Sequence, residues 1–269
     1  MSNHRKLRRV ILPVVGCFIA ASTFIVRASK PQPAEQVELA VDCEQAARSD
    51  SLPSSRYFFS EEYGWFDRTH FNAGNPGQVI ADVRKTVRAG GGIITIDQDV
   101  HNGVAGYSGS YHVSPEISAE EEIGVALGIY RDWSIRFEGW QAQLPQTLVG
   151  MLSPFAVEDL PSHYVGFFAE AHGMEVYEVF ACYLPETGET EETPPRFTAH
   201  RDVVDNAEDP LNYPERLANE DMLPMVHGED GWEQVPWPPE MQMEMIDSSS
   251  GLWELEDEAS WYMGEDQDP

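Results

Sequence analysis

The stretch Gly64-Trp65-Phe66-Asp67-Arg68-Thr69-His70-Phe71-Asn72 sets one acid and two bases among three aromatic rings. Asp67 and His70 are three positions apart, so a helical turn would place them side by side. That spacing suits a metal site, or a carboxylate that orients an imidazole. Glu138 is the second candidate, because a carboxylate beside a strongly apolar helix face is costly unless it is paired or bound to something. Glu158, Asp159 and His163 form a third cluster. The chemistry these types would support is metal-assisted hydrolysis. Asp67, His70 and His163 would hold a divalent cation such as Zn²⁺ with a position open for water. Glu138 and Glu158 would be the catalytic carboxylates, one of them a general base. The chain has no HExxH, no cysteine pair at zinc spacing and no Gly-x-Ser-x-Gly elbow. No other cofactor site is legible.

Each cluster also has a plain structural reading. Asp67 can cap a helical turn, and His70 can be a core histidine bonded to a carbonyl. Glu138 can pair with Arg68, Arg131 or Arg136. Glu158 and Asp159 fall at a helix N-terminus, where the dipole favours carboxylates. At this stage both readings stand.

Stepping outward, Asn75-Pro76 starts a helix in which Val79, Ile80, Val83 and Val87 recur at helical spacing. Gly90-Gly91-Gly92 ends it. These glycines follow a helix rather than precede one, the reverse of a phosphate cradle. Ile93 to Asp99 and Ala105 to Val113 read as a hairpin around the Asn102-Gly103 turn signal, with Tyr107, Gly109 and Tyr111 on one face. Ser118 with Glu121 then opens a long helix whose apolar stripe runs through Ile123, Leu127, Tyr130, Trp133, Phe137 and Trp140. At about 100° per residue, Ser134 and Glu138 fall beside that stripe. Asp159 can cap a further helix ending at His172-Gly173, and Glu175 to Tyr183 reads as a short last one.

The ends differ from this body. Residues 1–30 carry six of the 17 Lys and Arg and no acid, around an uncharged apolar run from Val10 to Val26. At about 1.5 Å per residue its 17 positions reach ~25 Å, the short end of a membrane span. The flanking charges favour a cytoplasmic N-terminus with the body outside. The expectation is a signal anchor in the inner membrane. A cleaved signal peptide releasing a secreted body, and a lipoprotein at Cys17 after Val14-Val15-Gly16, are the alternatives. Residues 31–269 hold 11 basic and 46 acidic residues, a net of −35. That balance excludes a nucleic-acid binder and suits solubility, a cationic setting or a basic partner. Three cysteines are too few for a disulfide scaffold. Cys43 and Cys182 could pair in an oxidising compartment.

Residues 185–269 contain 24 acidic and three basic residues, ten of the 19 prolines and four of the seven tryptophans. Such a segment lacks the means for a core of its own. Trp232, Trp237, Trp253 and Trp261 suggest arms folded back on the body. The chain from about Glu254 is expected to be free. The organisation read from sequence is a membrane segment (1–30), a linker (31–56), a compact domain (57–184) and an acidic, partly disordered extension (185–269). The fold class expected is mainly α with a small β-hairpin.

Three segments together resemble a bacterial family of exported proteins of unknown function. They are Gly64-Trp65-Phe66-Asp67-Arg68-Thr69-His70, Phe137-Glu138-Gly139-Trp140, and Ser153-Pro154-Phe155-Ala156-Val157-Glu158-Asp159-Leu160. The family pattern has Gly-x-x-Asp-x-x-His, a helix bearing His-Glu near a Trp, and Ser-x-Phe-Ser-Pro-Glu-Asp-Leu. The similarity covers about residues 60–172, and Phe137 stands where the family has His. It implies that Asp67, His70, Glu138, Glu158 and Asp159 belong together in an envelope protein, and it supplies no reaction. The two expectations on function are therefore a membrane-tethered hydrolase of the envelope, or a non-catalytic envelope protein whose polar cluster is a buried network. In either case the acidic tail would meet a cationic or protein partner.

Overall fold

The computed structural model describes residues 55–100, 103–144, 156–184, 187–190, 192, 219–228 and 231–262. The membrane segment, nearly all of the linker and Cys43 lie outside the described residues, and with them the anchor, the lipidation and the Cys43–Cys182 expectations. Among the described residues no helix is long and apolar enough to cross a membrane.

The chain enters through a tight hairpin of β1 (Tyr57–Ser60) and β2 (Gly64–Asp67), in which Phe58 faces Phe66. Both rings are buried and pack on Phe180, at centroid distances of 5.0 and 5.2 Å. A 3₁₀ turn, Arg68–His70, follows β2 directly. Helix α1 (Pro76–Arg88) starts where its caps place it: the Asn75 side chain accepts from the Gln78 amide at 3.2 Å, with Pro76 in the first turn. It buries Val79, Ile80 and Val83. Strands β3 (Gly92–Val100) and β4 (Ala105–Val113) form the expected hairpin, with Tyr107, Gly109 and Tyr111 on its buried face.

Helix α2 (Glu122–Gln141) starts later than Ser118. Only half of the expected box forms: the Ser118 amide donates to Glu121 at 2.9 Å, and residues 118–121 stay outside the helix. Its face from Gly124 to Tyr130 is wholly buried, with Trp133, Ser134, Phe137 and Glu138 continuing that burial. Helix α3 (Asp159–His172) is buried from Asp159 through Ala169 and ends on Gly173 in the left-handed region. Helix α4 (Val176–Tyr183) has a reciprocal capping box between Glu175 and Glu178.

The sheets contradict the mainly helical expectation. Among the described residues, eight strands stand beside four α-helices. One sheet has the order β5-β1-β2-β6-β7, where β5 is Gly188–Thr190, β6 Met225–Gly228 and β7 Gly231–Gln234. The other has the order β3-β4-β8, where β8 is Trp253–Tyr262. The fold is α+β. Four of the strands come from the acidic extension. Strands of three or four residues are too short to show an alternation, and β8 carries four acids among its ten residues. Their stability is non-local: pairing with a neighbour decides them, not their own side chains.

The expectation of a free chain from about Glu254 is overturned through Tyr262 for the same reason, and residues 263–269 lie outside the described residues. Strand β8 pairs with β4 along its whole length, with a bulge at Ser110/Tyr111. Trp253 is buried and donates through Nε1 to the Ile246 carbonyl at 2.7 Å. Trp237 stacks on Tyr164 at 4.7 Å. Upstream, the extension lies directly on α2, where a Cβ added at Gly128 would stand 1.9 Å from the Ile246 carbonyl oxygen. The Ile246 amide donates to the Gly124 carbonyl at 3.0 Å. These segments are part of the core.

Candidate metal centre

Three elements converge on one polar cluster. The end of β2 and its 3₁₀ turn bring Asp67 and His70, the middle of α2 brings Glu138, and the first turns of α3 bring Glu158, Asp159 and His163. Two backbone devices hold β2 against α3. Ser162 Oγ accepts from the Asp67 amide at 2.8 Å and donates to the Glu158 carbonyl at 2.5 Å. One turn further on, Gly166 has no side chain, and a Cβ there would fall 1.7 Å from the Phe71 carbonyl oxygen. The turn carrying His70 therefore sits on the surface of α3, and the His70 and His163 rings come within 5.4 Å of each other.

Asp67, Glu138, Glu158, Asp159 and His163 are each 0% exposed. Only His70 reaches the surface, with 15% of its side chain accessible. His70 stands between two carboxylates: Nδ1 is 3.4 Å from Asp67 Oδ2, and Nε2 is 3.4 Å from Asp159 Oδ1. Asp67 is fully engaged. It accepts from Arg56 Nε at 2.9 Å and Nη2 at 2.5 Å, and from the Thr69 amide and hydroxyl at 2.9 and 2.8 Å. Burial works against its charge, but the His70 and Arg56 contacts prevail and hold the carboxyl well below its ordinary range. Burial likewise opposes charge on His70, yet the Asp67 contact and the fields of Glu138 and Glu158 raise its pKa.

The opposite half of the cluster is unsatisfied. Among the described residues, neither ring nitrogen of His163, neither oxygen of Glu158, nor Oδ1 of Asp159 has a hydrogen-bond partner. Burial is the main cause of their perturbation. It pushes the Glu158 carboxyl up to about 7 and lowers the His163 imidazole well below its ordinary value, with help from His70. Asp159 rises well above the carboxylate range through burial and the nearby Glu138, Glu158 and Asp67. Buried polar atoms without partners are rare, and each calls for an explanation. A cation is one that fits the donor types.

The donors lie where an ion needs them. One ligand atom each from His70, Glu138 and His163 fall within 4.8 Å of one another, and so do atoms from Asp67, His70 and Asp159. At metal bonds of about 2.0–2.2 Å a tetrahedral ion holds its ligand atoms about 3.4 Å apart, so closing on an ion takes movements of up to roughly 1 Å. Two histidines with one carboxylate is a donor set of catalytic zinc and of non-haem iron. A carboxylate behind a ligating histidine, as Asp67 is behind His70, fixes the ring and its tautomer.

All five residues singled out for chemistry from the sequence (Asp67, His70, Glu138, Glu158 and His163) are thus neighbours in space. Glu138 offers an atom to one donor group, and Asp67, which also accepts from Arg56 and Thr69, offers one to the other. Two participants were missed. Arg56 had been assigned to the linker, and Ser162 carried no signal, because both act through contacts distant in sequence. Of the arginines considered for Glu138, Arg131 is engaged at Glu220, and Arg136 at Asp132 and Glu258. The second pair borders a separate pocket of about 670 Å³ beside Tyr107 and Trp140. The carboxylates of that pocket are already matched by Arg136, Tyr107 and Tyr111.

No family model, curated protein or solved structure matches this chain.

Proposed function

We propose that the chain is a metal-assisted hydrolase of the cell envelope, with its centre at His70, His163 and Glu138. The observation that carries the metal is His163, an imidazole with no exposure and, among the described residues, no hydrogen-bond partner on either nitrogen, whose ring faces that of His70. Bound there, a divalent cation would polarise an ester, amide or phosphoryl oxygen and lower the pKa of water. His70 and His163 would bind through neutral nitrogens, with Asp67 orienting His70. Glu158 is the general base, because its carboxyl, pushed up to about 7, can take and return a proton near neutrality. Arg56 keeps Asp67 ionised and so keeps that proton off the orienting carboxylate.

The N-terminal apolar run with its flanking charges supports an anchor in the inner membrane with the body outside, and the resemblance to exported envelope proteins agrees. The acidic surface favours cationic partners over nucleic acid.

One observation favours a second reading. Five of the six polar residues are fully enclosed, and only His70 touches solvent among the described residues. That enclosure fits a non-catalytic envelope protein in which the ion is structural.

The test is elemental analysis of protein purified without chelator or affinity metal, beside His163→Ala. About one tightly held transition-metal ion per chain, lost in a folded variant, together with hydrolysis of model esters or phosphoesters that also disappears, supports the first reading. Metal without hydrolysis moves the reading to the structural centre. Absence of metal in the native protein removes both.

A further inference from the structure

The donor inventory exceeds what one ion uses. A single tetrahedral centre takes three or four protein ligands. His70, His163 and Glu138 already supply three of them. Asp159 belongs to a second donor group that shares only His70 with the first. The two nitrogens of His70 face different carboxylates, Nδ1 towards Asp67 and Nε2 towards Asp159. Glu158 stands outside both groups, fully buried, with both oxygens unpartnered. Three buried carboxylates (Glu138, Glu158, Asp159) and two histidines (His70, His163), with Asp67 behind His70, approach the carboxylate-rich set by which dinuclear proteins hold a pair of ions.

We propose that this cluster binds two divalent transition-metal ions per chain, with the carboxylates of Glu158 and Asp159 completing the second position. This rests on the metal reading above, goes beyond it in stoichiometry and substrate class, and makes Glu158 a ligand in place of the general base. Two ions about 3.5–4 Å apart stabilise both the attacking and the leaving oxygen of an in-line displacement, so phosphoesters become the favoured substrates. The rival is one ion with a proton kept between Glu158 and Asp159.

Mn²⁺ is the probe. The full chain in detergent, stripped with chelator and dialysed to equilibrium against MnCl₂, is assayed for bound manganese and by electron paramagnetic resonance. The expected result is two tightly held ions with an exchange-coupled spectrum. Glu158→Gln should retain one ion and show the hyperfine pattern of isolated Mn²⁺. Asp159→Asn is the second variant, should the first fail to fold; the spectrum of the native protein decides in any case. One uncoupled ion in the native protein overturns the pair and leaves the single-ion centre intact. Two uncoupled ions place the second on the acidic surface, and the pair is again overturned. No retained manganese, zinc or iron overturns both readings.

Discussion

His70 and His163 face each other at a centroid distance of 5.4 Å, one closing a 3₁₀ turn and the other inside a buried helix. Their nitrogens differ in what they meet. His70 is bracketed by Asp67 and Asp159, whereas among the described residues neither nitrogen of His163 has a hydrogen-bond partner and its ring packs against His70, Tyr130 and Trp133. Exchange of His163 for Ala should therefore abolish metal retention while removing no hydrogen bond among the described residues. We expect the metal-free variant to unfold within about 2 kcal/mol of the metal-free native protein, the loss being mainly of packing. Urea unfolding with chelator present measures this. A collapse much larger than that would mean that His163 is structural.

Metal binding should depend steeply on pH. Ligands must be deprotonated before they bind. Burial holds Glu158 protonated up to about 7, and burial with the neighbouring carboxylates raises Asp159 as well. Affinity for Zn²⁺ should rise at least tenfold between pH 6 and pH 7.5, with protons released on binding. Competition titration with a chromophoric chelator measures the first, and calorimetry in buffers of different ionisation enthalpy measures the second. A flat profile would show that neither carboxyl takes part.

The metal-free protein should lose stability as pH rises through neutrality. Glu158 has a folded pKa raised above its unfolded value near 4.5, so its contribution is complete below that value and vanishes on passing about 7. At about 1.4 kcal/mol per unit, this is roughly 3 kcal/mol for Glu158 alone, most of it lost between about pH 4.5 and 7 and only its last part above 6.5. Raised Asp159 and His70 act with the same sign. His163 acts oppositely: its lowered value costs stability as pH falls below about 6.5. Above 6.5, then, nothing named here offsets the decline. Thermal melts with chelator from pH 6.5 to 8 should show falling midpoints, and saturating metal should reverse the trend.

Gly166→Ala should be severe. Its Cβ would overlap the Phe71 carbonyl, and backbone cannot rotate away as a side chain can. We expect about 3 kcal/mol of destabilisation. Metal affinity should fall as well, because the turn bearing His70 must lift off α3. Denaturant unfolding combined with metal titration separates the two effects. Retention of both stability and affinity would refute the close approach.

Arg56→Ala leaves the Asp67 carboxylate buried without its guanidinium. Hydrogen bonds to a charged group are worth about 1.5–3 kcal/mol, and Arg56 is half exposed, so about 2 kcal/mol is the expected loss. Arg56→Lys should recover part of it, because a point charge replaces a bidentate fork. Trp253→Ala, by contrast, should cost about 3–5 kcal/mol, since β8 is core rather than appendage. Limited proteolysis should spare residues 219–262 for the same reason; early cutting within β8 would contradict its pairing with β4.

How much was legible divides along one physical line, the range of the interaction. Helix α1, the β3–β4 hairpin, the end of α3 and the capped α4 were readable because their causes are local: Asn75 and Pro76, the Gly90–Gly92 stop, a period-two pattern, Gly173, and Glu175 with Glu178. The residues able to do chemistry were likewise visible in the chain, as costly charges beside apolar faces. Their assembly was not. It follows from Ser162 bridging β2 to α3, from the missing side chain at Gly166, and from Arg56 reaching Asp67, none of which has a local signature. The acidic extension misled for the same reason. Its composition argues for a free chain, whereas β8 is held by β4, and Ile246 by Gly124 and Gly128. Sequence determined which side chains this protein brings to its interior. Only the tertiary contacts, which no short stretch encodes, decided that six of them would share one buried site.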